Sequence, residues 1–257
     1  MGLTGGITRE RIYEMREYQV VKSNEIIEKV KYNLTVTEQK VLLFSISKIK
    51  PKDELNQTYE FKIKDFCDVV GIDYSSGSNI KNIKKAITNV SNKGFFILTD
   101  KERRQWDLVN WYNKVTISES DGMIYYSFGE FVNRYLLNLA KNFTQYKLLS
   151  ILPMKSSASI RLYELLKAKK GKNITEDVIS IDELQEKLMI QYNDYYNFKK
   201  RVLDKAVEEI NLYSDIGVEY EGIRDGREIK SIRFKIHKLS PAQEMANCTR
   251  AYAELDK

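Results

Sequence analysis

Tyr196, Asn197, Lys199, Lys200, Arg201 and Lys205 crowd into the front of the stretch YNFKKRVLDKAVEEINLY, residues 196–213, while Glu208 and Glu209 stand towards its back. The stretch has helical periodicity, and a helix carries partial positive charge at its N-terminus, so cations there oppose the dipole at a cost of up to about 1 kcal/mol. A polyanion would remove that cost. Tyr196 and Asn197 at the same end are side chains able to reach a phosphate or an adenine edge. The chemistry this pattern points to is recognition of a nucleic acid, not bond making.

Bond-making chemistries lack parts. His237 is the only histidine, so no histidine-pair metal site can be built, and it is expected to be structural at a strand end. Gly171-Lys172 lacks the upstream glycine of a phosphate-binding loop, and no GxSxG occurs. Asp182/Glu183 and Glu208/Glu209 are ordinary helix acids with nothing nearby to tune them into an acid and a base. Cys67 and Cys248 stand far apart and form no CxxC, which suits a reducing cytoplasm. The expectation is a non-enzyme with no cofactor, no metal and no catalytic residue. Lys and Arg number 42 against 36 Asp and Glu, for a net charge of +6, which is compatible with a polyanionic partner. No apolar run approaches the roughly 20 residues that span a bilayer, so no membrane partner is expected.

At 257 residues the chain has room for two modest domains. After a polar leader, SNEIIEKVKYN reads as a short helix, and TVTEQKVLLFSISKI as a longer one opened by Thr35 and Glu38 in capping-box spacing. QTYEFKI alternates as a strand, IKDFCDVVGI is a short helix ending at Gly71, and SNIKNIKKAITNVSNKG is a helix stopped by Gly94. FFIL, QWDLVNWYNKVTIS and GMIYYSF read as antiparallel strands, and the segments FGEFVNRYLLNLA to FTQYKLLSIL as helix. Pro153 and Ser156, Ser157 and Ser159 mark a break before SIRLYELLKAKKG. VISI, IDELQEKLMI and the cationic helix follow, and IGVEYEGIRDGREIKSIRFKI closes as a hairpin.

In that hairpin Ile216, Val218 and Tyr220 must share a face with Ile232, Phe234 and Ile236, so paired residue numbers must sum to an even value. A two-residue Asp225-Gly226 turn breaks this rule. A three-residue loop, Arg224-Asp225-Gly226 with Gly226 left-handed, obeys it and predicts Val218 opposite Ile232, with Arg224 and Arg227 outward at the tip.

FKIKDFCDVVGI aligns with ISIDELQEKLMI, Ile63 on Ile181, Phe66 on Leu184 and Val70 on Leu188, and the apolar positions of the following helices continue the match. The shared order is strand, short helix, turn, longer helix, antiparallel strands, which is that of a winged helix. The predicted fold is therefore α+β, tandem duplicated winged-helix domains, each a helix-turn-helix plus a β-hairpin wing. Its divisions are a leader 1–22, a first winged helix 23–139, a second 140–238 and a tail 239–257.

At about 100° per residue, Phe198, Val202, Leu203, Ala206, Val207 and Ile210 fill the core side of the cationic helix. Asn197, Lys200, Arg201, Asp204 and Glu208 face out, with Lys205 at the edge. Lys199 falls within the apolar arc, tolerable only where its stem carries the ammonium past the helix end. Asp204 interrupts the basic face without an evident reason. The corresponding first-half helix leaves Lys81, Asn82, Lys85 and Thr88 outward, with Lys84 at the margin.

The chain resembles the winged-helix replication initiators of theta-replicating plasmids, which bind directly repeated origin sequences called iterons. The resemblance rests on VVKSNEIIEKVKYNLTVTEQKVLLFSISKI, on KSSASIRLYELLKAKKG and on YNFKKRVLDKAVEEIN with its hairpin, over residues 18–238. It implies a bacterial cytoplasmic protein whose second winged helix makes the main base contacts, through Asn197, Lys199, Lys200, Arg201 and Lys205. The first adds contacts at a neighbouring groove and dimerises in a repressing form. Monomers on double-stranded iterons help open an AT-rich stretch and recruit the host initiator and replicative helicase; dimers repress their own promoter. Two other readings stay open: a transcriptional regulator of the same fold, and an interaction module whose basic faces bind acidic proteins.

Overall fold

The computed structural model describes residues 7–100, 102–103 and 105–257. The described residues open with α1 (Arg9–Arg16) and β1 (Gln19–Ser23), followed by α2 (Asn24–Lys29) and β2 (Val30–Lys31). The expected capping box opens α3 (Val36–Ile46): the Glu38 amide donates to Thr35 Oγ1 at 3.3 Å and the Thr35 amide to Glu38 Oε2 at 2.8 Å. Glu38 also accepts from Asn89 and Lys93, each at 2.7 Å, so this cap pins the end of a neighbouring helix. That neighbour is α5 (Gly77–Lys93), reached through β3 (Tyr59–Lys62) and α4 (Ile63–Val70). Helix α4 ends at Gly71, whose φ of +71° is the left-handed cap that glycine adopts without penalty.

β4 (Phe95–Asp100), β5 (Gln105–Val109), β6 (Tyr112–Ser118) and β7 (Met123–Phe128) then form two sheets, ordered β2-β4-β5 and β3-β7-β6. The stretch QWDLVNWYNKVTIS is thus two strands in two sheets, not one. The chain breaks at Trp111, whose ring lies 4.3 Å from Phe95: Trp111 and Tyr112 are both buried, and two successive inward side chains cannot keep the alternation of a single strand with one buried face.

The expectation of helix from 128 to 152 holds only for a single turn, α6 (Glu130–Asn133), and a 3-10 turn at Leu148–Ser150. FTQYK is a strand, β8 (Phe143–Lys147), antiparallel to β1 inside the segment expected to be a leader. Its alternation is visible in retrospect: Thr144 and Tyr146 are buried while Phe143, Gln145 and Lys147 are exposed. A strand this short cannot be told from a helical turn until its partner, more than a hundred residues earlier, is in place.

The central helix α7 (Ser157–Gly171) packs on elements of both halves. Its SIRLYELL stretch sends Arg161 and Glu164 inward, where Glu164 pairs with Lys22 of β1 and accepts from the Tyr146 hydroxyl at 2.5 Å and the Tyr32 hydroxyl at 3.3 Å. Arg161 donates to the carbonyls of Ile27 at 2.6 Å and Val30 at 2.9 Å. Two of the stretches that carry the family resemblance therefore meet in one buried charge cluster. Burial alone would raise the Glu164 carboxyl, but Lys22 and Arg161 hold it below the usual carboxylate range.

The second winged helix runs β9 (Glu176–Ser180), α8 (Ile181–Leu188), α9 (Tyr195–Phe198), a π-helical stretch Lys199–Leu203 and α10 (Asp204–Tyr213). β10 (Ile216–Asp225) and β11 (Glu228–Lys238) complete a sheet ordered β10-β11-β9. The parity rule holds, with Val218 and Tyr220 opposite Ile236 and Phe234, but the register expected for Val218 does not. The strands run closer to the tip, Asp225 faces Glu228 around Gly226-Arg227, and a register shift between Ile223 and Arg224 reconciles a tight turn with the matched faces. Gly226 is left-handed as expected, at φ +62°. α11 (Pro241–Leu255) ends the chain, and among the described residues no helix is long and apolar enough to cross a membrane.

Candidate nucleic-acid interface

Phe198, Val202, Leu203, Ala206 and Ile210 are buried, and Lys200, Arg201, Asp204, Lys205 and Glu208 are exposed, so the two faces of the cationic helix lie where the wheel puts them. Asp194 caps its start, accepting from the Asn197 amide and the Asn197 side-chain amide, both at 2.8 Å. These hydrogen bonds hold the Asp194 carboxyl below its ordinary range, so a carboxylate stands at the N-terminus. The charge inversion that the sequence shows is thus partly balanced within the protein. An aspartate just ahead of the first helical turn is a cap signal readable from sequence.

Lys199 and Asp204 form an ion pair at 2.9 Å. In an α-helix at about 100° per residue, positions five apart diverge by about 140° and cannot meet. The π turn, bonding i to i+5, brings them to one side. Asp204 also accepts from the Tyr220 hydroxyl of β10 at 2.5 Å, and that bond, followed by Lys199, holds its carboxyl low. The acid that interrupts the basic face is therefore the tie between this helix and its wing. Lys199, expected to reach out past the helix end, is engaged in the same tie. Lys200, with its ammonium 5.9 Å from the Tyr196 ring centre, Arg201 and Lys205 form no ion pair with any described carboxylate, and Tyr196 is 67% exposed.

Arg224 and Arg227 are both exposed at the wing tip. On α5, Lys81 and Lys85 are exposed, whereas Lys84 pairs with Glu119 of the β6–β7 turn at 2.7 Å. Arg103, 82% exposed in the β4–β5 turn, pairs with Asp100 at 3.7 Å. Lys101 and Arg104 lie outside the described residues. Among the described residues no group of His, Cys, Asp or Glu could hold a metal ion.

Two winged helices in tandem, each presenting a basic second helix, define a protein of the duplex-DNA-binding class. The chain belongs to the initiator replication protein family: the model described as "Initiator Replication protein, WH1" matches residues 19–167, and "Initiator Rep protein, WH2" matches residues 180–236. This is a DNA-binding, non-enzymatic family. The chain is 27% identical over 170 residues to the PI protein of Escherichia coli, covering 58% of this chain and 54% of that protein, so the match spans about half of the curated relative. It also shares its fold with the protein in "Crystal structure of Pi initiator protein in complex with iteron DNA", at TM-score 0.73 and 20% identity, over 88% of this chain and 99% of that one.

Proposed function

We propose that this chain initiates plasmid replication by binding repeated double-stranded sites at an origin, as a soluble protein of the bacterial cytoplasm. The observation that carries this reading is the exposed trio Lys200, Arg201 and Lys205 on the helix that a winged helix directs into the major groove, in a chain of the initiator family. Tyr196, Arg224 and Arg227 flank the same surface. Asn197 and Lys199 belong to it as positioning groups in the free protein, released towards DNA only if Asp194 and Asp204 give them up. Lys81 and Lys85, with Lys84, make the auxiliary contact of the first winged helix. The functional units are 23–139 and 140–238.

The test is binding of the purified chain to duplexes carrying the direct repeats that flank its coding region. Arg201→Ala and Lys200→Ala are each expected to weaken specific binding by about 1–3 kcal/mol with circular dichroism unchanged. Unchanged affinity in both would remove this helix from the interface. A specific affinity roughly 1,000-fold above that for unrelated DNA, falling steeply with salt, separates this reading from docking of acidic proteins. Dependence of plasmid maintenance on the chain separates it from a promoter regulator.

Origin opening, recruitment of the host initiator and helicase, and repression of its own promoter as a dimer complete the proposal. An apolar pair supports the dimer: Phe96 and Leu108, directly opposed across β4 and β5, are 46% and 62% exposed. In this reading the exposed pair lies within the surface through which two copies associate. Leu108→Lys is expected to shift the sedimenting species to monomer at micromolar concentration; an unchanged dimer would place the contact elsewhere.

A further inference from the structure

The two family models leave out residues before 19 and after 236, and the helices that occupy those ends close on each other. Arg16 of α1 is 1% exposed. Its guanidinium donates to the carbonyl of Val69 at 2.9 Å and to those of Asp68 and Leu255 at 3.4 Å, and pairs with the Asp256 carboxylate at 2.7 Å. Tyr13 donates to the same carboxylate at 2.6 Å, and the Tyr252 hydroxyl to Glu17 at 2.8 Å. The approach is close enough that a Cβ on Gly71, the cap of α4, would sit 2.4 Å from the Leu255 carbonyl oxygen. One end of α11 is thus fastened to the first winged helix through α1 and α4.

The middle of α11 is fastened to the helix that carries Lys200 and Arg201. Asn247 donates to the carbonyls of Asn211 and Ser214, both at 2.9 Å, at the C-terminal end of α10. Asn211 in turn brackets Val218 of the wing, donating to its carbonyl at 2.8 Å and accepting from its amide at 2.7 Å. A rigid helix with hydrogen bonds of this kind at its middle and at its C-terminal end, about two turns apart, fixes the distance between what it joins.

We infer that α11, locked by Arg16, is a positioning strut that holds the second recognition helix at a set distance from the first winged helix, and so fixes how many base pairs separate the two DNA segments they contact. This rests on the reading that both winged helices touch one duplex. It makes Arg16, Tyr252, Asp256 and Asn247 determinants of specificity that never touch DNA.

The experiment has two arms on the full chain. In the first, spin labels on Asn92→Cys of α5 and Val178→Cys of β9, in a Cys248→Ser background, report the distance between the two winged helices without DNA. One narrow distribution is expected, at least doubled in width by Arg16→Met with Asp256→Ala. In the second, two base pairs are inserted between the protected segments of the target. The parent is expected to lose at least about tenfold in affinity and the variant less than about threefold. If Arg16→Met does not fold, Asp256→Ala with Tyr252→Phe, which leaves the buried guanidinium and its carbonyl partners in place, serves instead. Folded variants with an unchanged label distribution and an unchanged insertion penalty overturn the strut. Protection by the parent of a single segment overturns two-domain contact with DNA, and the label distances then still decide whether α11 positions the second winged helix.

Discussion

Glu164→Gln will destabilise the protein by about 3–5 kcal/mol, because it leaves two buried cations without their anion. The side chains of Lys22, Arg161 and Glu164 are 2%, 3% and 0% exposed, so solvent cannot take over the lost interaction. Against a typical total of about 5–15 kcal/mol this is a large fraction, and the urea midpoint is the measurement. A loss below about 1 kcal/mol would show that the cluster is not held by charge. Removing all three charges together, as Lys22→Met, Arg161→Met and Glu164→Leu, is expected to recover only part of the loss: it avoids the desolvation that the ions incur, but leaves the Tyr32 and Tyr146 hydroxyls and the Ile27 and Val30 carbonyls without these partners. The cluster also sets an acid limit. The folded-state value for Glu164 lies below the ordinary carboxylate value of about 4.3, so its contribution is fully present above that pH and is lost as pH falls through the folded value. In Glu164→Gln the fall in stability across that window should be shallower than in the parent.

Val202→Asp is expected to unfold the second winged helix. Val202 is 6% exposed, on the core face of the helix that carries Lys200 and Arg201 on its other side. An ionised carboxylate there has no cation to meet, and burying it costs several kcal/mol, comparable with the stability of a domain of this size. Loss of specific DNA binding together with loss of the cooperative thermal transition is the expected pair of results. A folded Val202→Asp variant would show that the helix presents a different face to the core. Its neighbour Arg201→Ala should do the reverse, losing affinity and keeping the transition, because exposed Arg201 bears no packing.

Amphipathic periodicity, the capping box at Thr35 and Glu38, the glycine stops at Gly71 and Gly94, and the inward and outward faces of residues 198–210 were all legible in the sequence. Each depends on residues within a turn or two of one another, where spacing alone fixes geometry. Duplication was legible too, since matched apolar positions such as Phe66 and Leu184 become matched core positions, at 0% and 1% exposure. The exposed cations of the candidate interface followed from the same wheel.

Features set by partners distant in sequence were not legible. Strand β8 exists because β1 lies beside it, and the strands of the final hairpin slid relative to expectation because a local register shift, invisible to parity, can absorb a residue. A wheel drawn at a constant angle could not anticipate the π turn, so Asp204 looked like a flaw in the basic face until Lys199 and Tyr220 were found around it. By itself the sequence determined which residues face inward, that the unit is duplicated, and that cations gather on one helix, because these are consequences of local periodicity and charge. Tertiary structure decided which of those cations are free. A side chain's availability depends on what the rest of the fold brings within about 3 Å of it, and for Lys199, Asp204 and Arg16 those neighbours come from the π turn, the wing and the far end of the chain.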